Sequence, residues 1–390
     1  VAERWRPAWA DIDLDAVRHN AGILARVAAP AALCAVVKAD GYGHGAVGPA
    51  RAALEGGASW LAVALVEEGV SLREAGIGVP ILLLSEPPVE GMAEAVARGL
   101  VPTVYTDQGL TALGRAARGG PPVAVHLKVD TGMHRVGADA AEVGRLADRI
   151  AADPHLELGA LWTHLAVADG EDAVDREFTE AQLGRFDDSL VALAAAGHRP
   201  TMTHVANTAG TIAFPAARRD MVRCGIGIYG VAPTPTLEGL LGVASGGELL
   251  RPALSLRTRV TYVRDLDPGE RPSYGRRRPL GRRSTVATAP IGYADGVSRR
   301  LFDQGGEVLV GGVRRPLAGA VTMDQIVIDC GPSGSAEVAV GDEVVLIGRQ
   351  GDEVVTAEEW ADRFGTIPYE VLCDIGPRVP RLMRGSDPAV

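Results

Sequence analysis

Lys38 stands out by its surroundings. It closes an apolar run, AALCAVV at 31–37, and opens Ala-Asp-Gly-Tyr-Gly-His-Gly at 39–45. An amine emerging from an apolar wall loses hydration in its charged form, so its pKa falls and the neutral nucleophile suits Schiff-base chemistry. The neighbouring glycines let a ligand approach the backbone. Their spacing fits neither the Walker nor the dinucleotide fingerprint, so those readings fail. Other polar residues recur at the ends of apolar runs: Lys128 and Asp130 with Arg135 close behind, then His164, His204 and Arg223. Singly, each reads as a rim ion pair or a capping group. Together they read as one convergent site. HVANTAGT (204–211) and GIGIYG (225–230) add a hydroxyl and small residues whose backbone N–H groups suit a phosphate. Ordinary tight turns are an equal reading of those two stretches alone.

Such residues need a scaffold that gathers many strand ends. Over the first 245 residues, eight short apolar runs (31–37, 59–63, 80–84, 101–104, 122–129, 157–163, 200–205 and 221–225) are separated mostly by helical patterns (47–54, 65–75, 92–98, 108–117, 140–152 and 174–196). This alternation predicts βαβ units and a parallel sheet. Eight strands suit a closed (β/α)8 TIM barrel, whose active residues sit at the carboxyl ends of the strands. An open doubly wound sheet is the alternative that periodicity leaves standing. Beyond Ala244 the pattern turns to strand alternation at 254–263, 284–290, 306–310, 313–320, 325–330 and 342–348, with Gly311-Gly312 as a hairpin turn. One helix interrupts, signalled by Thr356 with Glu359 three residues on, a capping-box spacing. The expected fold is therefore α/β: a barrel over 10–245 and a mostly β domain over 246–390.

Composition narrows the function classes. The chain has 390 residues, 47% hydrophobic, enough for a large core. Its 39 Lys+Arg against 49 Asp+Glu give a net charge of −10, a poor match for nucleic acid or an anionic membrane. The small basic run at 276–278, with Arg282 and Arg283, reads as a solvated turn. Cys34, Cys224, Cys330 and Cys373 lie far apart with no C-x-x-C pair, which suits a reducing compartment. The charged N-terminus lacks a secretory pattern, and no apolar run is long enough to span a membrane, so a cytoplasmic protein is expected. The sequence opens at Val1, so an initiator methionine or a few leading residues are expected to precede it.

Eight stretches carry a resemblance: AVVKADGYGHG (35–45), KVDTGMHRVG (128–137), WTHLAVAD (162–169), HVANTAG (204–210), RCGIGIYG (223–230), PSYGRRR (272–278), PIGYADG (290–296) and VTMDQ (321–325). They resemble the signature stretches of the bacterial alanine racemase family, in that family's order. The resemblance implies a racemase of fold type III that depends on pyridoxal 5′-phosphate (PLP). It implies a barrel and a β domain, the latter joined by residues 1 to about 9, in a head-to-tail homodimer with shared active sites. Lys38 would hold the cofactor and act as one base; Tyr274, from the second protomer, would be the opposite base. Inverting a chiral carbon requires removing a proton from one face and returning one to the other. His164 would hydrogen-bond the phenol and link to Arg223, which would face the pyridine nitrogen. An arginine does not readily give up a proton, so the ring would stay unprotonated and transamination would be limited. Tyr42, Thr208, Gly225, Ile226 and Tyr369 would hold the phosphate. Arg135 would bind the phenolic oxygen and the substrate carboxylate, beside Lys128, which is often carbamylated in this family. Met323 would offer a backbone N–H to the carboxylate, and Tyr293, Asp324 and Arg299 would line the entrance.

Two departures from the family pattern fall near that entrance. Ala320 stands where an arginine is frequent, and Val297 and Ser298 replace an aromatic and a proline. They suggest a wider corridor and a racemase of broader specificity, serine included; neutral drift is an equal reading. A fold-type-III decarboxylase is the nearest rival, with Cys373-Asp374 as its motif, but HVANTAG and Arg223 speak against it. A PLP-binding homeostasis protein would lack the β domain. No metal is expected, because His44, His134, His164 and His204 lack paired ligand spacing.

Overall fold

A computed structural model describes residues 5–335 and 337–385. The chain divides into two units. One comprises Asp15–Gly41 and Ala46–Arg251; the other comprises residues up to Leu14, Tyr42–Gly45, and Pro252 onward.

Strand β1 (Ala8–Asp13) belongs to the second unit. The first unit holds β2 (Ala32–Val36), β3 (Ala58–Val63), β4 (Ile81–Leu83), β5 (Thr103–Val104), β6 (Val123–Lys128), β7 (Leu156–Trp162), β8 (Met202–His204) and β9 (Met221–Cys224). All pair in parallel, in the order β4-β3-β2-β9-β8-β7-β6-β5. The two ends of this order meet. Leu83 N–H donates to Val101 O (2.9 Å) and Val101 N–H to Ile81 O (2.8 Å), so the sheet closes on itself. That bridge excludes the open doubly wound alternative, which would leave two free edges. Helices follow the strands and several are capped as their sequences direct. Thr106 Oγ1 accepts from Gly109 N–H ahead of Asp107–Ala116, and Asp172 from Asp175 N–H ahead of Ala173–Ala195. The sequence pattern did not single out the first helix, Leu14–Ala28, which precedes β2.

The second unit is mostly β. Its strands are β10 (Leu254–Arg259), β11 (Tyr262–Leu266), β12 (Ser284–Ala289), β13 (Glu307–Val310), β14 (Val313–Pro316), β15 (Ile326–Pro332), β16 (Glu343–Gln350), β17 (Glu353–Val355) and β18 (Arg381–Arg384). One sheet runs β14-β13-β16-β10-β1-β18, with β17 on β16; the other runs β11-β12-β15. The N-terminal segment thus forms an interior strand of this unit, between β10 and the edge strand β18, though residues 1–4 lie outside the described residues. The single run expected at 254–263 is two strands in two sheets. At the break, Val260 N–H turns to Asp342 O and Thr261 N–H to Thr288 O. The run at 313–320 stops at Pro316 as a strand. Gly311 and Gly312 make the β13–β14 turn, with φ of 63° and 73°. Thr356 caps Ala357–Phe364, but Glu359 does not close the box: its carboxylate pairs with Arg314 and Arg363. In the basic run, Arg277 pairs with Asp303, and Arg278 lies over the Phe302 ring at 4.8 Å.

Candidate active site

The first unit gathers its functional side chains at the carboxyl ends of its strands. Beyond β2, Lys38 opens a turn in which Ala39, Asp40, Gly41 and Tyr42 have φ of 53°, 50°, 62° and 52°. Three of these are not glycine. A side chain held in that region costs about 1–3 kcal/mol and persists only where its surroundings over-determine it. Asp40 Oδ1 accepts from Ala46 N–H (2.9 Å), and Gly41 N–H donates to Val37 O (3.0 Å). The glycine at 43 has a different reason: in the second unit, a Cβ there would meet Leu372 O at 2.3 Å.

Arg223, on β9, is the hub. It is 2% exposed, inside the barrel. Its Nη1 donates to His204 Nδ1 (2.7 Å); its Nη2 reaches Thr163 O (2.9 Å), Val205 O (2.9 Å) and His164 Nδ1 (3.2 Å). Because a guanidinium only donates, both histidines present a lone pair at Nδ1. His204 Nε2 therefore carries the proton and donates to His126 Nδ1 (3.0 Å). The Trp162 ring stacks on His204 with centroids 5.1 Å apart, and the Arg223 guanidinium lies 4.6 Å from the Trp162 centroid. Burial, then the Arg223 charge, holds His126 down at about 3; the same causes hold His204 and His164 well below the usual imidazole range. The relay is neutral apart from Arg223. Burial lowers Arg223 itself to about 10, which still leaves it charged at neutral pH.

This relay has an acid-stability consequence. Unfolded histidine takes up a proton near 6.5, whereas folded His126 resists until about 3, so stability is lost as pH falls through that interval. Urea midpoints measured from pH 7 to pH 4 are expected to fall, and to fall less steeply for His126→Gln. An unchanged slope in that variant would remove His126 from the account.

At the end of β6, Lys128 is 3% exposed, with Nζ 4.3 Å from the Trp162 centroid. Burial, then Arg223, Arg135 and Lys38, lowers its amine to about 7. Asp130 shapes the loop beyond: Oδ1 accepts from the Gly132 N–H (2.9 Å) and His134 N–H (3.1 Å). Arg135 is exposed there. Beyond β8, Asn207 Oδ1 accepts from Gly210 N–H, and Thr208 opens the short helix Thr208–Ala213. The Gly225 N–H, expected at the phosphate, donates instead to Thr208 Oγ1 (3.1 Å). Ile226 is the first residue of the 3-10 turn Ile226–Tyr229, so its N–H has no partner within that turn.

In the second unit, the Tyr42 and Tyr369 rings pack with centroids 6.1 Å apart. Tyr274 is 73% exposed and follows Ser273, whose φ of 68° is rare outside glycine; Ser273 Oγ donates to Ala320 O (2.6 Å). Tyr293 and Met323 are also exposed. Asp324 pairs with Arg378 (2.6 Å). Arg299 lies just ahead of the helix Arg300–Asp303. Asp295, fully buried, binds Arg6 (2.8 Å) and Arg378 (3.3 Å) and accepts from Gly292 N–H (3.0 Å), which fixes the turn carrying Tyr293. Val297 and Ala320 are buried in this unit, at 0% and 1% exposure.

The family models for the alanine racemase N-terminal and C-terminal domains match residues 12–233 and 253–383. The chain belongs to the alanine racemase family. It is similar to an alanine racemase of Symbiobacterium thermophilum, 48% identical over 383 residues that cover 98% of each chain. Among solved structures, the alanine racemase of Bacillus anthracis with bound L-Ala-P superposes with a TM-score of 0.90 at 36% identity, covering 98% of this chain and 96% of that one. The alanine racemase of D-cycloserine-producing Streptomyces lavendulae gives the same TM-score and identity over 99% of each.

The residues present fit PLP, the cofactor of this family. Arg223 Nε is buried and has no hydrogen-bond partner among the described residues, while both terminal nitrogens are committed. A pyridine nitrogen is an acceptor of the kind that lone N–H requires. Among the described residues no cluster of His, Cys, Asp or Glu is placed to hold a metal ion, and no helix is long and apolar enough to cross a membrane. Sequence reasoning passed over His126, Trp162, Asp295 and Glu68. His126 carried a signal, since a histidine inside an apolar strand needs a buried partner.

Proposed function

We propose that the protein interconverts L- and D-alanine with PLP, using Lys38 and Tyr274 as proton carriers on opposite faces of the substrate. The observation that carries this reading is Arg223, a buried cation whose Nε–H has no acceptor among the described residues. PLP, when bound, supplies the electron sink that acidifies the substrate Cα–H. Everything else is done by the chain. Lys38 would hold the cofactor and move a proton at Nζ. Tyr274 would move a proton at its phenol oxygen. His164, a hydrogen-bond acceptor toward Arg223, keeps its other nitrogen protonated and able to donate. Arg223 would donate to the pyridine nitrogen without protonating it, which suits racemisation better than decarboxylation. Thr208 and Ile226, with Tyr42 and Tyr369, would hold the phosphate; Arg135 and the Met323 N–H would hold the substrate carboxylate.

Tyr274, Tyr293, Met323 and Asp324 are all exposed in the second unit, as residues offered to a partner's site would be. A homodimer with shared sites is part of the proposal. So is a cytoplasmic location, which four widely spaced cysteines without a C-x-x-C pair suit. The test is a racemisation screen over the common amino acids, following optical rotation together with carbon dioxide release. Loss of rotation with the amino acid conserved and no gas supports the reading; loss of rotation matched by gas release and consumption of the amino acid overturns it.

Lys128 makes a separate prediction. Burial lowers this amine to about 7, so free base is present at neutral pH. A free amine attacks carbon dioxide: an N–C bond forms, the amine proton leaves to solvent, and a negative group replaces a positive one. Protein kept in isotope-labelled bicarbonate is expected to show one slowly exchanging carbamate signal, absent in Lys128→Met. A signal that survives the substitution would place the modification elsewhere.

A further inference from the structure

We propose that Glu68 is a positioning residue for Lys38: its carboxylate ties the left-handed turn that carries the lysine to the neighbouring strand end. This rests on the reading of Lys38 as the residue that holds the cofactor. Glu68 sits in the first turn of the helix Val66–Glu74, and its Oε2 accepts from the Leu65 N–H at 3.0 Å. That is the glutamate half of a capping box, and a cap needs nothing more. Here Oε2 also accepts from the Ala64 N–H at 2.8 Å, and Oε1 reaches the Ala39 N–H at 2.6 Å. Ala39 follows Lys38 directly and is the first of five successive residues with positive φ, Ala39 to Gly43. The second oxygen is therefore spent on the segment that aims the lysine, 29 residues away in sequence.

Hydrogen bonds to a charged carboxylate are stronger than neutral ones, and three backbone donors from two loops meet on this one group. Asp40, through Ala46 N–H, ties the turn down from its other end. The function of such a clamp follows from what Lys38 must do. A group that gives and takes a proton at one face has to return to the same place at every turnover. A displacement of about 1 Å costs on the order of 10²-fold in rate.

The test uses the full-length holoenzyme with Glu68→Gln, Glu68→Ala and, as a matched control, Glu86→Ala. Glu86 also joins loops by its carboxylate, accepting from the Tyr105 N–H (2.7 Å) and Thr106 N–H (2.9 Å), away from residue 39. The readouts are the rate at which hydroxylamine strips PLP from the protein, the pH midpoint of the bound cofactor's absorbance, and kcat and KM. Glu68→Ala is expected to speed cofactor release about tenfold and to lower kcat by about 10–100-fold, with KM for alanine nearly unchanged. Glu68→Gln falls between, since an amide oxygen serves one loop and its NH2 cannot accept from the other; it carries the test if the alanine variant does not fold. Glu86→Ala is expected to lower thermal stability while leaving release and absorbance as in the wild type. Wild-type release and absorbance in both Glu68 variants, or an equal change in Glu86→Ala, overturns the proposal. Borohydride reduction and peptide mapping separate the two levels. A label elsewhere than Lys38 in the wild type sinks the lysine assignment and this inference with it; a label on Lys38 with unchanged release sinks this inference alone.

Discussion

Replacing Tyr274 by phenylalanine is expected to slow racemisation in both directions by about 10²–10⁴-fold, the range spanned by one positioned acid–base group. The substitution keeps the ring and removes only the hydroxyl. Tyr274 is largely exposed in the second unit, so the variant is expected to melt within about 0.5 kcal/mol of the wild type, as surface changes do. The diagnostic measurement is exchange in deuterated water. With Lys38 intact, one enantiomer should still exchange its Cα hydrogen without inverting, while the other exchanges slowly. Equal exchange of both enantiomers would mean that a single group serves both faces, and the two-base reading would fall. Phenylalanine at this position with near-normal racemisation would do the same.

The second large effect concerns assembly. Lys38→Ala and Tyr274→Ala, each alone, are expected to be inactive. Unfolded together and refolded, or equilibrated as dimers, they should regain activity. If a site takes its lysine from one protomer and its tyrosine from the other, random pairing makes half of the dimers mixed. Each mixed dimer holds one intact site of two, so recovery approaches about a quarter of wild-type activity. A site built within one protomer would regain nothing at any mixing ratio. This experiment is independent of substrate identity and of the roles of the flanking residues.

The barrel was legible because parallel strands are covered on both faces and so read as continuous apolar runs. The eight runs map onto β2–β9 with ends displaced by a residue or two. Eight runs suited a closed barrel, and the run at 101–104 already held the closing residue, Val101; its bonds to Ile81 and Leu83, which exclude the open sheet, are visible only in the structure. The break at Val260–Thr261 was hidden for a similar reason: the residues continue a strand-like pattern, and only their partners, Asp342 and Thr288, pull them into different sheets. The glycines beside Lys38 drew attention to the right segment for an incomplete reason. Ala39, Asp40 and Tyr42 share the left-handed backbone that glycine usually takes, held there by contacts that no local rule foresees.

Taken by itself, the chain of residues determined the strand and helix periodicity, the change of texture near residue 245, and the polar residues that end apolar runs. These are local properties, set by side-chain burial over a few neighbours. Tertiary structure decided what those residues touch. It left one nitrogen of Arg223 without an acceptor, put His126 behind His204, buried Val297 and Ala320, and brought Glu68 to Ala39. Hydrogen bonds and desolvation act over a few ångströms in space, and residues that meet at that range are dozens to hundreds of positions apart along the chain.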